Sequence, residues 1–196
     1  MSHSKDCILI DLMEQWPCLF KEAYLLDHFN TLVGINLKNK VEECAKTKIP
    51  RLYRFLEQEA SHNQRLRQTL HSIKEAMEDP GCQGSEKVNL PGTPCVVTAG
   101  KPWEANRFQI AVGGQITTTV YNPIGALSVW FSSFYIFNLE YPPKASATVE
   151  FFQGCIAGIN PPDGRGKSTK PKVKSIHPLV LKLSNKLKHL ESEWSL

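Results

Sequence analysis

No charged side chain occurs between Phe108 and Leu139, although charged residues make up 21% of the chain. A stretch so depleted of charge has to be covered by protein or by lipid. It lacks the continuity of a membrane span, because Gly113-Gly114, three successive threonines and Asn122-Pro123 interrupt it. Its helical part, Pro123 to Leu139, reaches roughly 25 Å at about 1.5 Å per residue. A bilayer core is about 30 Å thick, and Ser128, Ser132 and Ser133 dilute the run further. The expectation is a buried central helix and no membrane span.

Closely spaced cysteines are missing as well. The six stand at 7, 18, 44, 82, 95 and 155, with no C-x-x-C pair. Disulfide frameworks belong to smaller, denser secreted chains, so six reduced thiols are expected. Near the amino terminus the only apolar run is Cys7 to Ile10, between Asp6 and Asp11. A signal-peptide core needs roughly 7–15 apolar residues, and no N-x-[ST] acceptor occurs anywhere. The compartment read from this is intracellular, cytoplasmic or nuclear. The histidines, at 3, 28, 62, 71, 177 and 189, lie apart from the cysteines. Structural zinc sites draw on ligands in close pairs, so no metal site and no cofactor are expected.

Catalytic signatures are equally scarce. Gly164-Arg165-Gly166-Lys167-Ser168-Thr169 resembles the end of a phosphate-binding loop, but Pro161 stands where its first glycine is needed. A predicted helix precedes it where a strand is required, and Pro171 follows. No G-x-S-x-G elbow is present, and no local signature surrounds a cysteine. Cys95 reads as a small core residue. Glu42-Glu43 and the pair Glu57 and Glu59 read as solvated helix faces. With none of the catalytic roles filled, the chain is not expected to be an enzyme.

What is present is a helical beginning. Pro17 fits a helix start, and Leu25, Phe29, Leu32 and Val33 recur at helical spacing before Gly34. Val41, Cys44, Ala45 and Ile49 give another stripe, which Pro50 is expected to interrupt. A further helix then carries Leu52, Phe55, Leu56, Leu66, Leu70, Ile73 and Met77. Residues 79–94 are rich in proline and glycine and read as a loop or linker. Cys95 to Ala99 reads as a strand. Phe108, Ile110 and Val112, then Ile116, Thr118 and Val120, alternate around Gly113-Gly114 as a β-hairpin. After the apolar helix from Pro123, Ala145, Val149, Phe152, Ile156 and Ile159 form one face of the next. The last amphipathic helix carries Ile176, Leu179, Val180, Leu183, Leu187, Leu190 and Trp194. The expected fold is mainly helical α+β, with a helical region at 1–78 and a small antiparallel β-sheet packed by apolar helices in 95–196.

Acidic residues vanish from Gly164 to Leu190, where Arg165, Lys167, Lys170, Lys172, Lys174, Lys182, Lys186 and Lys188 supply eight positive charges. Without them and the two acids that follow, 15 basic and 17 acidic residues remain, so the net +4 belongs to this segment. The basic loop 164–175 reads either as a solvated linker or as a contact for import factors or nucleic-acid phosphates, through Arg165, Lys167, Lys170, Lys172 and Lys174. No aromatic residue interleaves its cations, so base stacking is not supported. Arg165-Gly166-Lys167-Ser168 also resembles a basic-directed phosphorylation site. Leu179, Leu183, Leu187 and Trp194 form either a partner-binding stripe or the face that packs the helix on its own domain.

Several short motifs carry a resemblance. They are Trp16-Pro17-Cys18-Leu19-Phe20, Phe137-Asn138-Leu139-Glu140-Tyr141-Pro142, Glu150-Phe151-Phe152-Gln153 and Ile159-Asn160-Pro161. The ending, His177-Pro178-Leu179-Val180-Leu181 through Glu193-Trp194, is similar as well. Together the chain resembles the sterile alpha motif domain-containing protein 3-like family of vertebrates, abundant in fish. The resemblance is to a carboxy-terminal region without the namesake domain. It implies an intracellular protein without a known enzyme mechanism, and it brings no catalytic residues. The function expected is a non-enzymatic protein-interaction or adaptor role with an unknown protein partner. The alternative is a nucleic-acid-associated nuclear protein that uses the basic segment.

Overall fold

A computed structural model describes residues 3–78, 89–99, 101–102, 104–159 and 176–190. The fold is mainly helical α+β, with seven α-helices and one three-stranded antiparallel sheet among these residues. The helices are α1 His3–Gln15, α2 Glu22–Val33, α3 Leu37–His62, α4 Gln64–Glu78, α5 Pro123–Ile136, α6 Ser146–Phe151 and α7 Pro178–Leu190. A 3-10 turn at Pro17–Phe20 leads into α2, and a π-helical segment, Phe152–Ile156, extends α6. The strands are β1 Cys95–Thr98, β2 Phe108–Val112 and β3 Gln115–Val120, in the order β1-β2-β3.

The chain divides into two compact units, each discontinuous in sequence: 1–38 with 71–139, and 39–70 with 140–196. The division therefore does not follow a single cut at the 79–94 segment, of which 79–88 lie outside the described residues.

In the first unit the sheet packs on α2 and α5. Gly113 and Gly114 both take positive φ, 63° and 77°, which closes the β2–β3 hairpin. The ladder pairs Ile110 with Thr118 but Ala111 with Ile116, so Thr117 is an extra residue. Its Oγ1 donates to the Ile110 carbonyl at 3.1 Å. The bulge breaks the expected alternation: Thr117 and Thr118 are both buried while Ile116 is exposed. Leu25, Phe108, Ile110, Val120, Ala126 and Val129 form the core. Phe29 meets Phe131 and Tyr135 edge-on, with ring centroids 6.2 and 5.3 Å away.

The uncharged stretch becomes β2, β3 and the buried helix α5, as its composition predicts. Asn122 caps α5 by accepting from the Gly125 amide at 2.7 Å, and Pro123 occupies the first turn. Its serines are buried cheaply, since each hydroxyl finds a carbonyl of its own helix: Ser128 on Ile124, Ser132 and Ser133 on Val129. No described helix is long and apolar enough to cross a membrane.

In the second unit α3 corrects the sequence expectation, because it continues through Pro50 as one helix. Cys44 on one side of the proline is buried, and Phe55, Leu52 and Leu56 on the other pack into a cluster with Cys155, Phe151, Leu183 and Leu187. Burial on both sides outweighs the one backbone bond that proline removes. The break comes at Asn63 instead. Its Oδ1 accepts from the Leu66 amide at 3.1 Å, while Arg67 donates to the carbonyls of Ala60 and Ser61 that end α3.

The expected face after Pro143 is also altered. The Ala157 amide reaches the Phe152 carbonyl, five residues back, at 2.8 Å. This wider turn buries Phe152, Gln153, Gly154 and Cys155 in succession.

Candidate functional site

The charges proposed for phosphate or import-factor contact, Arg165, Lys167, Lys170, Lys172 and Lys174, lie outside the described residues, as does Trp194. The remainder of the terminal stripe is on α7, and the fold splits it. Leu187 is 2% exposed and packs with Leu183 against Phe55 and Cys155. Leu179 is 65% exposed. Among its described members, Leu183 and Leu187 therefore build the core of their own unit, and Leu179 is left outside.

The start of α7 is held firmly. The His177 amide donates to Glu150 Oε1 at 2.9 Å, and His177 Nδ1 accepts from the Leu179 amide at 3.2 Å. Pro178 follows at the position where its missing N–H costs nothing. From this anchored start, Val180, Ser184 and Leu187 face inward, while Lys182, Asn185, Lys186 and Lys188 face solvent. Lys186 pairs with Glu59 of α3.

Among the described thiols, Cys44 and Cys155 are core atoms and Cys95 is half-buried. Burial pushes Cys155 up to about 11, against the opposing pull of Lys48 and a hydrogen bond from Ser184. Burial likewise raises Cys44 and Cys95. A thiol held protonated is a poor nucleophile and a poor metal ligand. Lys48 Nζ spends a hydrogen bond on the Cys155 carbonyl at 3.1 Å. Cys18, by contrast, is exposed. Among the described residues no group of three or more His, Cys, Asp or Glu side chains is placed to hold a metal ion.

The best-organised buried polar contact surrounds Gln153. Tyr141 Oη donates to Gln153 Oε1 at 2.7 Å, and Gln153 Nε2 donates to the Ile159 carbonyl at 3.2 Å. Each polar group of the amide is thereby engaged, and the arrangement ties the segment before α6 to the end of the π-helix. It has the character of a brace.

The outer surface of the first unit is more suggestive. Tyr24, His28 and Leu32 are exposed and recur every four residues on α2, so they share one stripe. Trp16 and Leu19 are exposed immediately before it. Phe20, between them and α2, instead turns inward and stacks on Phe137 at 6.2 Å. Helical spacing alone had grouped Leu32 with Leu25 and Phe29. Its place near the end of α2, at the margin of the buried arc, leaves it 54% exposed. The readable signal was the second apolar series, offset from the first by Tyr24.

Compared with protein-family models, curated proteins and solved structures, the chain matches none of them.

Proposed function

We propose that this is a non-enzymatic interaction or adaptor protein, whose principal contact surface is the outer stripe of α2 with the turn before it. The observation that carries this reading is the exposure of Trp16, Leu19, Tyr24 and Leu32 on neighbouring segments of one unit. Exposed aromatic and large aliphatic side chains lose water favourably only when a partner covers them, and tryptophan and tyrosine are enriched among the residues that dominate binding energy. The buried serines of α5 and the amide of Gln153 support the same reading. The serine hydroxyls of α5 are consumed by its own backbone, and Gln153 is engaged at both ends. The resemblance to the sterile alpha motif protein family points the same way.

The test is affinity capture of the intact chain from cells, beside a Tyr24→Glu, Leu32→Glu variant shown by circular dichroism to be folded. A partner held at stoichiometric level by the first and lost from the second is expected. Identical partners for both, or a robust turnover abolished by Gln153→Ala in protein that stays folded, would overturn the reading.

The second reading is a nucleic-acid-associated nuclear protein. Its support is the charge of residues 164–190 and the solvent-facing lysines of α7.

A further inference from the structure

The outward side of α7 combines two features that nucleic acid does not require together. Lys182 and Lys188 face solvent, Lys186 is exposed but paired with Glu59, and no acidic residue occurs from 164 to 190. Among these cations stand exposed aliphatic side chains: Leu179 at 65%, with Leu181 and Ile176 also open. Leu179, Lys182 and Lys186 follow one another at helical spacing on one flank, and Leu181 and Lys188 share the other. Glu59 pairs with Lys186, and Glu150 accepts from the His177 amide.

We propose that the outward side of α7 is a docking surface for an anionic lipid bilayer. Lysines beside a membrane are attracted to acidic headgroups. Their alkyl stems lie along the apolar boundary while the ammonium groups stay among the headgroups. Leu179 and Ile176, at the start of the helix, then enter the acyl boundary as shallow anchors. The inner face of α7, with Val180, Leu183 and Leu187, is occupied by its own unit, so the helix does not sink as a free amphipathic helix does. Attachment is therefore reversible and salt-sensitive. Nucleic acid is the less favoured occupant, because phosphate contacts gain nothing from exposed leucine, and the outward positions of α7 through Lys188 include no aromatic side chain for stacking. The bilayer proposal is independent of the α2 surface, and the substitutions below leave Tyr24 and Leu32 untouched.

The test is co-sedimentation of the full chain with phosphatidylcholine vesicles, with and without phosphatidylserine, beside binding to fluorescent duplex DNA in the same buffer. Binding only to the phosphatidylserine vesicles is expected. Leu179→Ser should weaken it about tenfold through lost apolar burial, and Lys182→Gln with Lys188→Gln by roughly tenfold or more. Lys40→Gln with Lys46→Gln removes the same charge from exposed positions of α3 and should leave binding unchanged. The proposal fails if acidic vesicles are not bound, if Leu179→Ser has no effect, or if the α3 control loses as much as the α7 pair. It also fails if duplex DNA binds more tightly than the vesicles.

Discussion

At Gly125 a β-carbon would stand 2.5 Å from Glu22 Oε1 and 2.7 Å from Val120 Cγ1. The carboxylate is held by Lys38 Nζ at 2.7 Å, and Val120 is fully buried, so neither neighbour yields freely. The glycine also lets Glu22 approach the first turn of α5, where the helix dipole favours negative charge. Gly125→Ala should cost about 1–3 kcal/mol through overpacking, read as a lower urea midpoint. An unchanged midpoint would mean that Glu22 and Val120 move aside without penalty. Cys155 gives a second residue-scale expectation. Its folded value of about 11 lies above the ordinary thiol value of 9.0, so its contribution is fully present below 9.0 and is lost as pH rises through 11. The urea midpoint should fall across that interval, and the fall should be smaller in Cys155→Ala, in which lysine and tyrosine titration remain. Equal falls in both proteins would remove the thiol from the account.

Helices and strands differ in how openly the sequence declared them. The hairpin was legible because alternation on both sides of Gly113-Gly114 and the turn chemistry agree. The helix end at Gly34 was legible for the same reason: the residue is left-handed at φ 76°. The extra residue at Thr117 was not, because a bulge depends on the ladder across from it. The π-helical turn at Phe152–Ile156 was hidden too, since period alone assigns burial to Ile156 and Ile159 where the structure buries Gln153 and Cys155. Pro50 misled because a local rule met tertiary packing on both of its sides. That conflict makes a prediction. Pro50 is exposed inside a continuous helix, so Pro50→Ala restores a backbone donor there. The gain, offset by greater freedom of the unfolded chain, should be about 1–2 kcal/mol. Thermal unfolding would show it as a higher midpoint. A lower midpoint would mean that the proline itself is required for packing Leu52 and Phe55.

On the scale of the whole molecule, the fold class followed from composition and periodicity, whereas the partition into units did not. Residues 39–70 belong with 140–196 through contacts between Phe55 and the partners Cys155 and Leu187, and no local pattern encodes such a pairing. The terminal stripe shows the same limit. Spacing put Leu179, Leu183 and Leu187 on one face, but only the helix's neighbours decide which of them stay in solvent. Charge, in contrast, is legible without a fold. The basic excess lies in 164–190, and the rest of the chain is slightly acidic. This asymmetry makes the nucleic-acid alternative quantitative. If Arg165, Lys167, Lys170, Lys172 and Lys174 each neutralised a phosphate of duplex DNA, the logarithm of the binding constant would fall against that of salt with a slope of about −4.5. Replacing all five by glutamine would then bring the slope toward zero while α7 keeps its own lysines. A bilayer-directed surface on α7 predicts instead weak duplex binding and a slope that the five substitutions hardly change. Titrating labelled duplex with both proteins over a series of salt concentrations separates the two. A steep slope that depends on the five would place nucleic acid ahead of lipid as the partner of this end of the chain. A shallow slope in both proteins would leave those five cations as a solvated linker or an import signal.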